Sequence, residues 1–182
     1  MVALALMDRS ALHSPPVVPR GKGQLREGLR YVWATDELRL TFILLAVVGT
    51  LAFEYQVSLP LLVERSLGGG PATFTLLYSL MSTGSVVGAL LVARRAEVKP
   101  SFLAKGAIGL ALATAALALA PTVWLAAVAV IPVGFTMVFM LSGSNAVIQL
   151  RADPSMRGRV LALTAVVFLG STPIGGPIVG AI

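Results

Sequence analysis

The stretch that decides the fold runs from Lys105 to Arg151 and reads KGAIGLALATAALALAPTVWLAAVAVIPVGFTMVFMLSGSNAVIQLR. It encloses 45 residues without one charged side chain. As a single α-helix these residues would be about 68 Å long, twice the thickness of a hydrocarbon core of about 30 Å. The stretch therefore predicts two membrane-spanning helices joined at Pro121 and Thr122, because proline does not continue a helix.

The rest of the chain has the same character. Of its 182 residues, 57% are hydrophobic and 12% are charged, whereas a soluble domain is about 25% charged. Disordered chains are poor in apolar residues, so the same figures exclude disorder. We predict an all-α membrane protein with a cytoplasmic linker at 1–37 and a transmembrane helical bundle at 38–182. The five predicted spans lie near 38–63, 72–94, 102–120, 122–150 and 158–182.

The linker contains the segment LREGLRYVW at 25–33. Its apolar side chains recur at helical spacing: Leu25, Leu29 and Val32, with Trp33 beside them. Arg26 and Arg30 lie toward the other side of the same helix. This pattern predicts an amphipathic interfacial helix with its aromatic residues at headgroup depth. A helix packed under the protein's own cytoplasmic face is the alternative, and the sequence leaves both open.

Basic residues are distributed unevenly over the predicted loops. With a cytoplasmic N-terminus, Arg65 is the only one of the 14 Lys and Arg residues that lies outside. The positive-inside rule therefore predicts a multi-pass protein of the plasma (inner) membrane with its N-terminus cytoplasmic and its C-terminus outside. The same asymmetry accounts for the net charge of +6 without a nucleic-acid partner.

The first of two informative loops is GALLVARRAEVKPSFLAKG at 88–106. It resembles the cytoplasmic-loop signature of the major facilitator superfamily. Gly88 matches the leading glycine of that signature, and Arg94 and Arg95 match its basic residues. Two departures weaken a role as a conformational latch: an alanine stands where the family often has aspartate, and the later glycine-arginine pair is replaced.

The second loop, QLRADPSMRGRVLAL at 149–163, resembles the loop between the tenth and eleventh helices of drug- and siderophore-exporter-like members of that superfamily. Asp153 with the following proline is expected to end one helix. Gly158 is expected to permit a close turn, and Arg157 and Arg159 to lie at the lipid headgroups.

The resemblance also implies a place in a larger fold and a function. The five spans would correspond to helices seven to eleven, part of the C-terminal six-helix half of a major facilitator fold. The implied function is export of a small amphipathic or cationic molecule by alternating access with proton coupling. We expect an incomplete transporter that lies in the lipid bilayer and works with its missing N-terminal half or a second copy. A natural five-span protein, and a non-transporting membrane subunit or inert remnant that needs a partner chain, are the alternatives.

Glu54 is the only carboxylate inside a predicted span. An ionised carboxylate at that depth is expensive, so it is expected to face the bundle or a wet cavity. With Gln56 and Ser58 nearby, we interpret it as a protonation or cationic-substrate site. A carboxylate hydrated at the outer vestibule, or hydrogen-bonded to a neighbouring helix, is an equal alternative.

The fourth span carries Ser142, Asn145 and Gln149 on one helical face. The resemblance makes this span the tenth helix, which lines the transport cavity, so substrate contact is one interpretation. Hydrogen bonding between helices is the other and commoner role for such side chains.

Enzymatic chemistry is not expected. The single His13 lies in the linker, no cysteine is present, and a second intramembrane carboxylate for an aspartyl protease is missing from the predicted spans. No zinc-protease, phosphate-loop or dinucleotide motif occurs in the sequence. We therefore expect no catalytic residue, no metal site and no cofactor.

Overall fold

The computed structural model describes residues 23–52, 55–95 and 98–181, with side chains described except at 51, 52, 169 and 171–181. Glu54, His13 and residues 1–22 of the predicted linker lie outside this part of the chain. The described residues form seven α-helices and one π-helical turn, and no strand occurs among them. The helices are α1 (Gln24–Ala34), α2 (Asp36–Ala52), α3 (Tyr55–Leu61), α4 (Pro71–Ala93), α5 (Pro100–Ala118), α6 (Val123–Arg151) and α7 (Arg157–Ala181), and the π-helical turn is Leu62–Ser66. The all-α prediction is confirmed.

Within the described residues, four helical segments are long and apolar enough to cross a membrane. They are Asp36–Ser66, Pro71–Ala93, Pro100–Ala118 and Val123–Arg151. The predicted number of five spans is one too high by this count. The fifth predicted span coincides with α7, whose described side chains end well short of the roughly 20 apolar residues that a span needs.

Prolines and one threonine set where the helices begin. Pro71 and Pro100 occupy the first turns of α4 and α5, where a missing N–H costs nothing because that group has no partner in the helix. The side chain of Thr122 accepts a hydrogen bond from the N–H of Leu125 at 3.4 Å and caps α6. The helix α6 ends at Arg151, two residues before Asp153 and its proline, in agreement with the expected end of the helix at this point.

The centre of the bundle is α6, against which α4 and α5 both pack. At the α4–α6 crossing the two backbones touch. A Cβ added at Gly134 would lie 2.7 Å from the carbonyl carbon of Met81, and one added at Gly84 would lie 2.9 Å from that of Ile131. The hydroxyl of Ser85 also donates to the carbonyl oxygen of Gly134 at 3.1 Å. Small residues and such hydrogen bonds are what holds helices together in lipid, where the hydrophobic effect is absent.

The chain order gives the bundle two distinct ends. One end, called here the α1 end, brings together the starts of α2 and α5 and the last residue of α6, which line one surface depression. The other, called the Gly68 end, contains the turn at Gly68–Gly70 and the turn at 119–122. The predicted site residues can be placed by reference to these two ends.

Helix α1 packs across the starts of α2 and α7. Its Val32 is 1% exposed, and a Cβ at Gly28 would lie only 3.0 Å from a methyl carbon of Leu163. Leu25 and Leu29, by contrast, are 62% and 46% exposed. Leu25, Leu29 and Val32 therefore do not form one buried face as expected. Gly28 allows α1 to contact α7 closely on the side of Val32, and both leucines stay exposed.

Candidate functional site

Two residues expected beside Glu54 lie on different sides of α3. Gln56 is exposed, whereas Ser58 lines a cavity of 130 Å³ with Tyr55 and Thr114. Residues two positions apart in a helix are separated by about 200° around its axis. Gln56 and Ser58 therefore do not share one face of α3.

A hydrogen bond that the sequence did not predict links α3 to α5. The hydroxyls of Tyr55 and Thr114 lie 2.8 Å apart, and Tyr55 is 6% exposed. A buried tyrosine hydroxyl usually has a partner, and this rule could have directed the search to the hydroxyl residues of neighbouring spans. Tyr55 therefore belongs to the candidate site at the Gly68 end.

The three polar residues of the fourth predicted span lie on α6 near the α1 end. Ser142 and Asn145 are half-buried and Gln149 is exposed. Ser58 lies at the opposite end of the bundle, near the last turns of α5. The structure therefore does not bring the two candidate groups together into one pocket.

A third group of polar side chains, missed in the sequence, lies on α4. These exposed hydroxyls are Thr75, Tyr78, Ser79, Ser82 and Thr83, and we call them the α4 hydroxyl face. Four of them donate to the carbonyl oxygen four residues earlier, at 2.8–3.0 Å. The sequence signal for this face is the recurrence of hydroxyl residues every three or four positions. It is easily missed because serine and threonine are only weakly polar.

The exposed side chains Ile108 and Leu112 of α5 are apolar, in contrast to the α4 hydroxyl face. Ile108 and Leu112 are 62% and 67% exposed, as expected of a surface in contact with lipid chains. The α4 hydroxyl face lies at the same depth of the bundle but is polar. Four of its hydroxyl donors are already satisfied within the helix, and its hydroxyl oxygens can still accept hydrogen bonds from water or from another polar helix face.

The loop that resembles the superfamily signature has a structural anchor. Gly88 lies at the α4–α6 crossing, where an added Cβ would be 3.1 Å from the carbonyl carbon of Phe135. Arg94 caps the end of α4 and is exposed. The guanidinium of Arg95 lies 4.3 Å from the centroid of the Phe102 ring, a cation–π contact that ties the loop to the start of α5.

Asp153 organises the second loop. Its carboxylate accepts hydrogen bonds from the hydroxyl and the N–H of Ser155, at 2.6 Å and 2.9 Å. These bonds, the hydroxyl's first, hold the pKa of Asp153 below its ordinary value. The N–H of Asp153 donates to the hydroxyl of Tyr31 at 3.0 Å, so the loop is tied to α1.

One expectation for the same loop is wrong. A Cβ at Gly158 would have no neighbour within 4 Å, and this residue lies in the first turn of α7, so no close turn requires glycine there. The guanidinium of Arg159 is bound to Glu27 at 2.7 Å and its side chain is 21% exposed, and its position at the headgroups stays a prediction. Arg157 is half-buried, and its Nε is buried without a hydrogen-bond partner among the described residues.

The contacts between α1, α2 and the second loop form what we call the α1 clamp. It consists of the Glu27–Arg159 ion pair at 2.7 Å, the Tyr31–Asp153 hydrogen bond at 3.0 Å and the Glu37–Arg151 ion pair at 3.2 Å. Within the described part of the chain, no three His, Cys, Asp or Glu side chains lie close enough to hold a metal ion. The α1 clamp is a set of two ion pairs and one hydrogen bond that connects α1 and α2 to the second loop.

Comparison with known proteins gives one match. A model of the family described as transmembrane secretion effector (MFS_3) matches residues 1–182. No curated protein and no solved structure matches the chain.

Proposed function

Because the chain belongs to the transmembrane secretion effector family of the major facilitator superfamily, we propose that it forms part of a proton-coupled exporter of a small amphipathic or cationic molecule. The family and the four apolar helices together support a role in membrane transport. Alternating access between two helical bundles is the mechanism we propose for it.

The observation that carries this proposal is the α4 hydroxyl face. Ser82 is the central residue of α4, about 17 Å from either end of the helix, and it is exposed. A hydroxyl-bearing surface at this depth offers acceptor oxygens, which fit a wall of a hydrated pathway or a junction with a second bundle. We propose that it faces the pathway.

The α4–α6 crossing supports the moving part of the mechanism. The backbones at Gly84 and Gly134 are in contact with the partner helix, so α4 and α6 cannot slide past one another without separating. Packed helices of this kind move as one body. Rocking of such a body against a second bundle would open the α4 hydroxyl face to one side and then to the other.

We assign proton coupling to Glu54 and substrate contact to Gln56, Ser58, Ser142, Asn145 and Gln149. The separation of these residues toward two ends of the bundle supports successive contacts with a moving substrate rather than one fixed pocket. We further propose that the α1 end is cytoplasmic, because Arg65 alone among the basic residues that the structure describes lies near the Gly68 end.

The chain is proposed to act with a second six-helix bundle, which corresponds to the N-terminal half of such a transporter. The test is efflux of a fluorescent amphipathic cation from liposomes that carry a proton gradient. Liposomes would contain the chain alone, or the chain with the N-terminal six-helix half of a family transporter. Glu54→Gln would test the proton role, and Glu64→Gln, at an exposed carboxylate of the π-helical turn, is the matched control.

We expect no coupled efflux from the chain alone and gradient-dependent efflux from the pair, which Glu54→Gln abolishes and Glu64→Gln preserves. Strong gradient-driven efflux by the chain alone would overturn the need for a second bundle. Absence of efflux from a pair that co-purifies would overturn transport in favour of a non-transporting membrane subunit.

A further inference from the structure

An apolar groove runs between α1, α2 and α7. Leu29 and Trp33 line it from α1, Phe42 and Ile43 from α2, and Val167 from α7, around a volume of 150 Å³. Trp33 is 53% exposed and Ile43 is 43% exposed. The groove is therefore open on one side and floored by packed side chains.

The groove continues along a membrane span. Ile43 and Val47, one turn apart on α2, are 43% and 52% exposed, and α2 is part of the apolar segment Asp36–Ser66. Whatever fills the groove therefore also lies along the lipid-facing side of α2. An acyl chain satisfies that condition.

A larger cavity with two arginines in its lining adjoins the groove. It has a volume of 630 Å³ and is lined by Arg26 and Arg30 as well as by Leu29 and Trp33, which the two spaces share. Arg26, Arg30 and Trp33 follow the i, i+4, i+7 spacing of one helical face. An aromatic ring thus separates an apolar groove from two guanidinium groups.

Within the residues that the structure describes, the two arginines of this larger cavity have no carboxylate partner. Glu27 is bound to Arg159 at 2.7 Å, and Asp36 is bound to Arg39 at 2.8 Å. Neither Arg26 nor Arg30 forms an ion pair with any carboxylate in the part of the chain that the structure describes. The cavity therefore favours an anion.

We infer that this groove and cavity bind a phospholipid with a net negative headgroup, with one acyl chain against Ile43 and its phosphate beside Arg26 and Arg30. The amphiphile is recognised by a chain-shaped apolar space joined to a cationic one. A cationic substrate is disfavoured by the two arginines. A protein partner is disfavoured because the groove opens along a lipid-facing span. This inference is independent of the proposed export function.

The chain contains only two tryptophans, Trp33 and Trp124, which makes a direct test possible. The full chain carrying Trp124→Phe is reconstituted in phosphatidylcholine vesicles that contain phosphatidylglycerol. Bromination of the acyl chains of one lipid or the other then reports, by quenching of Trp33 fluorescence, which lipid lies beside it. The reverse variant, Trp33→Phe, reports on Trp124 at the Gly68 end as an internal control.

Phosphatidylglycerol is expected to quench Trp33 with a relative affinity about 25-fold above phosphatidylcholine, since each of the two surface arginines contributes about fivefold. Arg26→Gln with Arg30→Gln should bring the ratio near one, whereas the two lysine replacements should preserve it. Arg65→Gln and the Trp124 reporter should show no change and no preference. Raised salt should reduce the preference.

Three results would overturn the inference. One is equal quenching of Trp33 by the two brominated lipids. A second is a preference that survives the double glutamine variant. The third is no quenching of Trp33 by either lipid, which would mean that protein or water, and not lipid, covers the groove.

Discussion

Replacement of Gly134 by alanine adds a single carbon atom, the Cβ, at the α4–α6 crossing. The new Cβ would lie 2.7 Å from the carbonyl carbon of Met81 and 2.9 Å from its Cγ, whereas carbon atoms pack at about 3.5–4.0 Å. The helices must separate by about 1 Å, since a backbone carbonyl cannot rotate away as a side chain can.

The energetic cost follows from that separation. Overpacking costs about 1–3 kcal/mol, and a clash with backbone belongs near the upper figure. Loss of the Ser85–Gly134 hydrogen bond, at 3.1 Å, contributes about 0.6 kcal/mol more. Alanine has a higher helix propensity than glycine, which offsets about 1 kcal/mol of this cost. We therefore expect Gly134→Ala to lower the free energy of unfolding by about 2–3 kcal/mol.

The assay is an SDS titration of the chain in detergent micelles, followed by the fluorescence of its two tryptophans. Gly158→Ala is the matched control, because a Cβ at Gly158 has no neighbour within 4 Å, and it should be neutral or stabilising by up to about 1 kcal/mol. If Gly134→Ala unfolds at the same SDS fraction as Gly158→Ala, the backbone contact between α4 and α6 is refuted.

Three further predictions concern the α1 clamp and the candidate site. Glu27→Gln and Arg159→Gln should each destabilise the chain, and a double-mutant cycle should give a coupling of about 0.2–1 kcal/mol because the pair is partly exposed. Hydrogen bonds lower the pKa of Asp153 in the fold, so its stabilising effect should be present above about pH 3.9 and be lost as the pH falls through its lowered pKa. Asp153→Asn should weaken that acid dependence in an SDS titration repeated at several pH values. Tyr55→Phe should destabilise by about 0.5–1.5 kcal/mol, because it removes the hydroxyl partner of Thr114.

A separate result would contradict each of these three predictions. A coupling near zero between Glu27 and Arg159 would show that the ion pair does not hold α1. An unchanged acid dependence in Asp153→Asn would remove the role of the Ser155 hydrogen bonds. Tyr78→Phe serves as the comparison for Tyr55, since Tyr78 is exposed; equal effects at both positions would contradict a buried hydroxyl pair.

The sequence was informative about helices because each helix has local causes. The uncharged stretch between Lys105 and Arg151 predicted two helices, and Pro121 and Thr122 do lie between α5 and α6. Gly84 and Gly88 lie four residues apart, and this spacing puts both on the face of α4 that contacts α6. The spacing of residues along one helix can be obtained directly from the sequence.

Relations between helices were harder to predict. Nothing near Tyr55 in the sequence specifies Thr114, because the two meet only through the packing of α3 on α5. Gly158 seemed to demand a turn because glycine often does, yet here it is an ordinary helical residue. The division of α1 into a buried and an open flank likewise depends on how closely Gly28 approaches α7.

The central claim is that the α4 hydroxyl face lines a hydrated pathway, and cysteine accessibility tests it most directly. The chain has no native cysteine, so Ser82→Cys can be labelled without background in sealed membranes by a membrane-impermeant maleimide. Ile108→Cys, on the exposed apolar side of α5 at similar depth, is the control. We predict that Ser82→Cys reacts and Ile108→Cys does not; equal lack of reaction at both positions would contradict the claim.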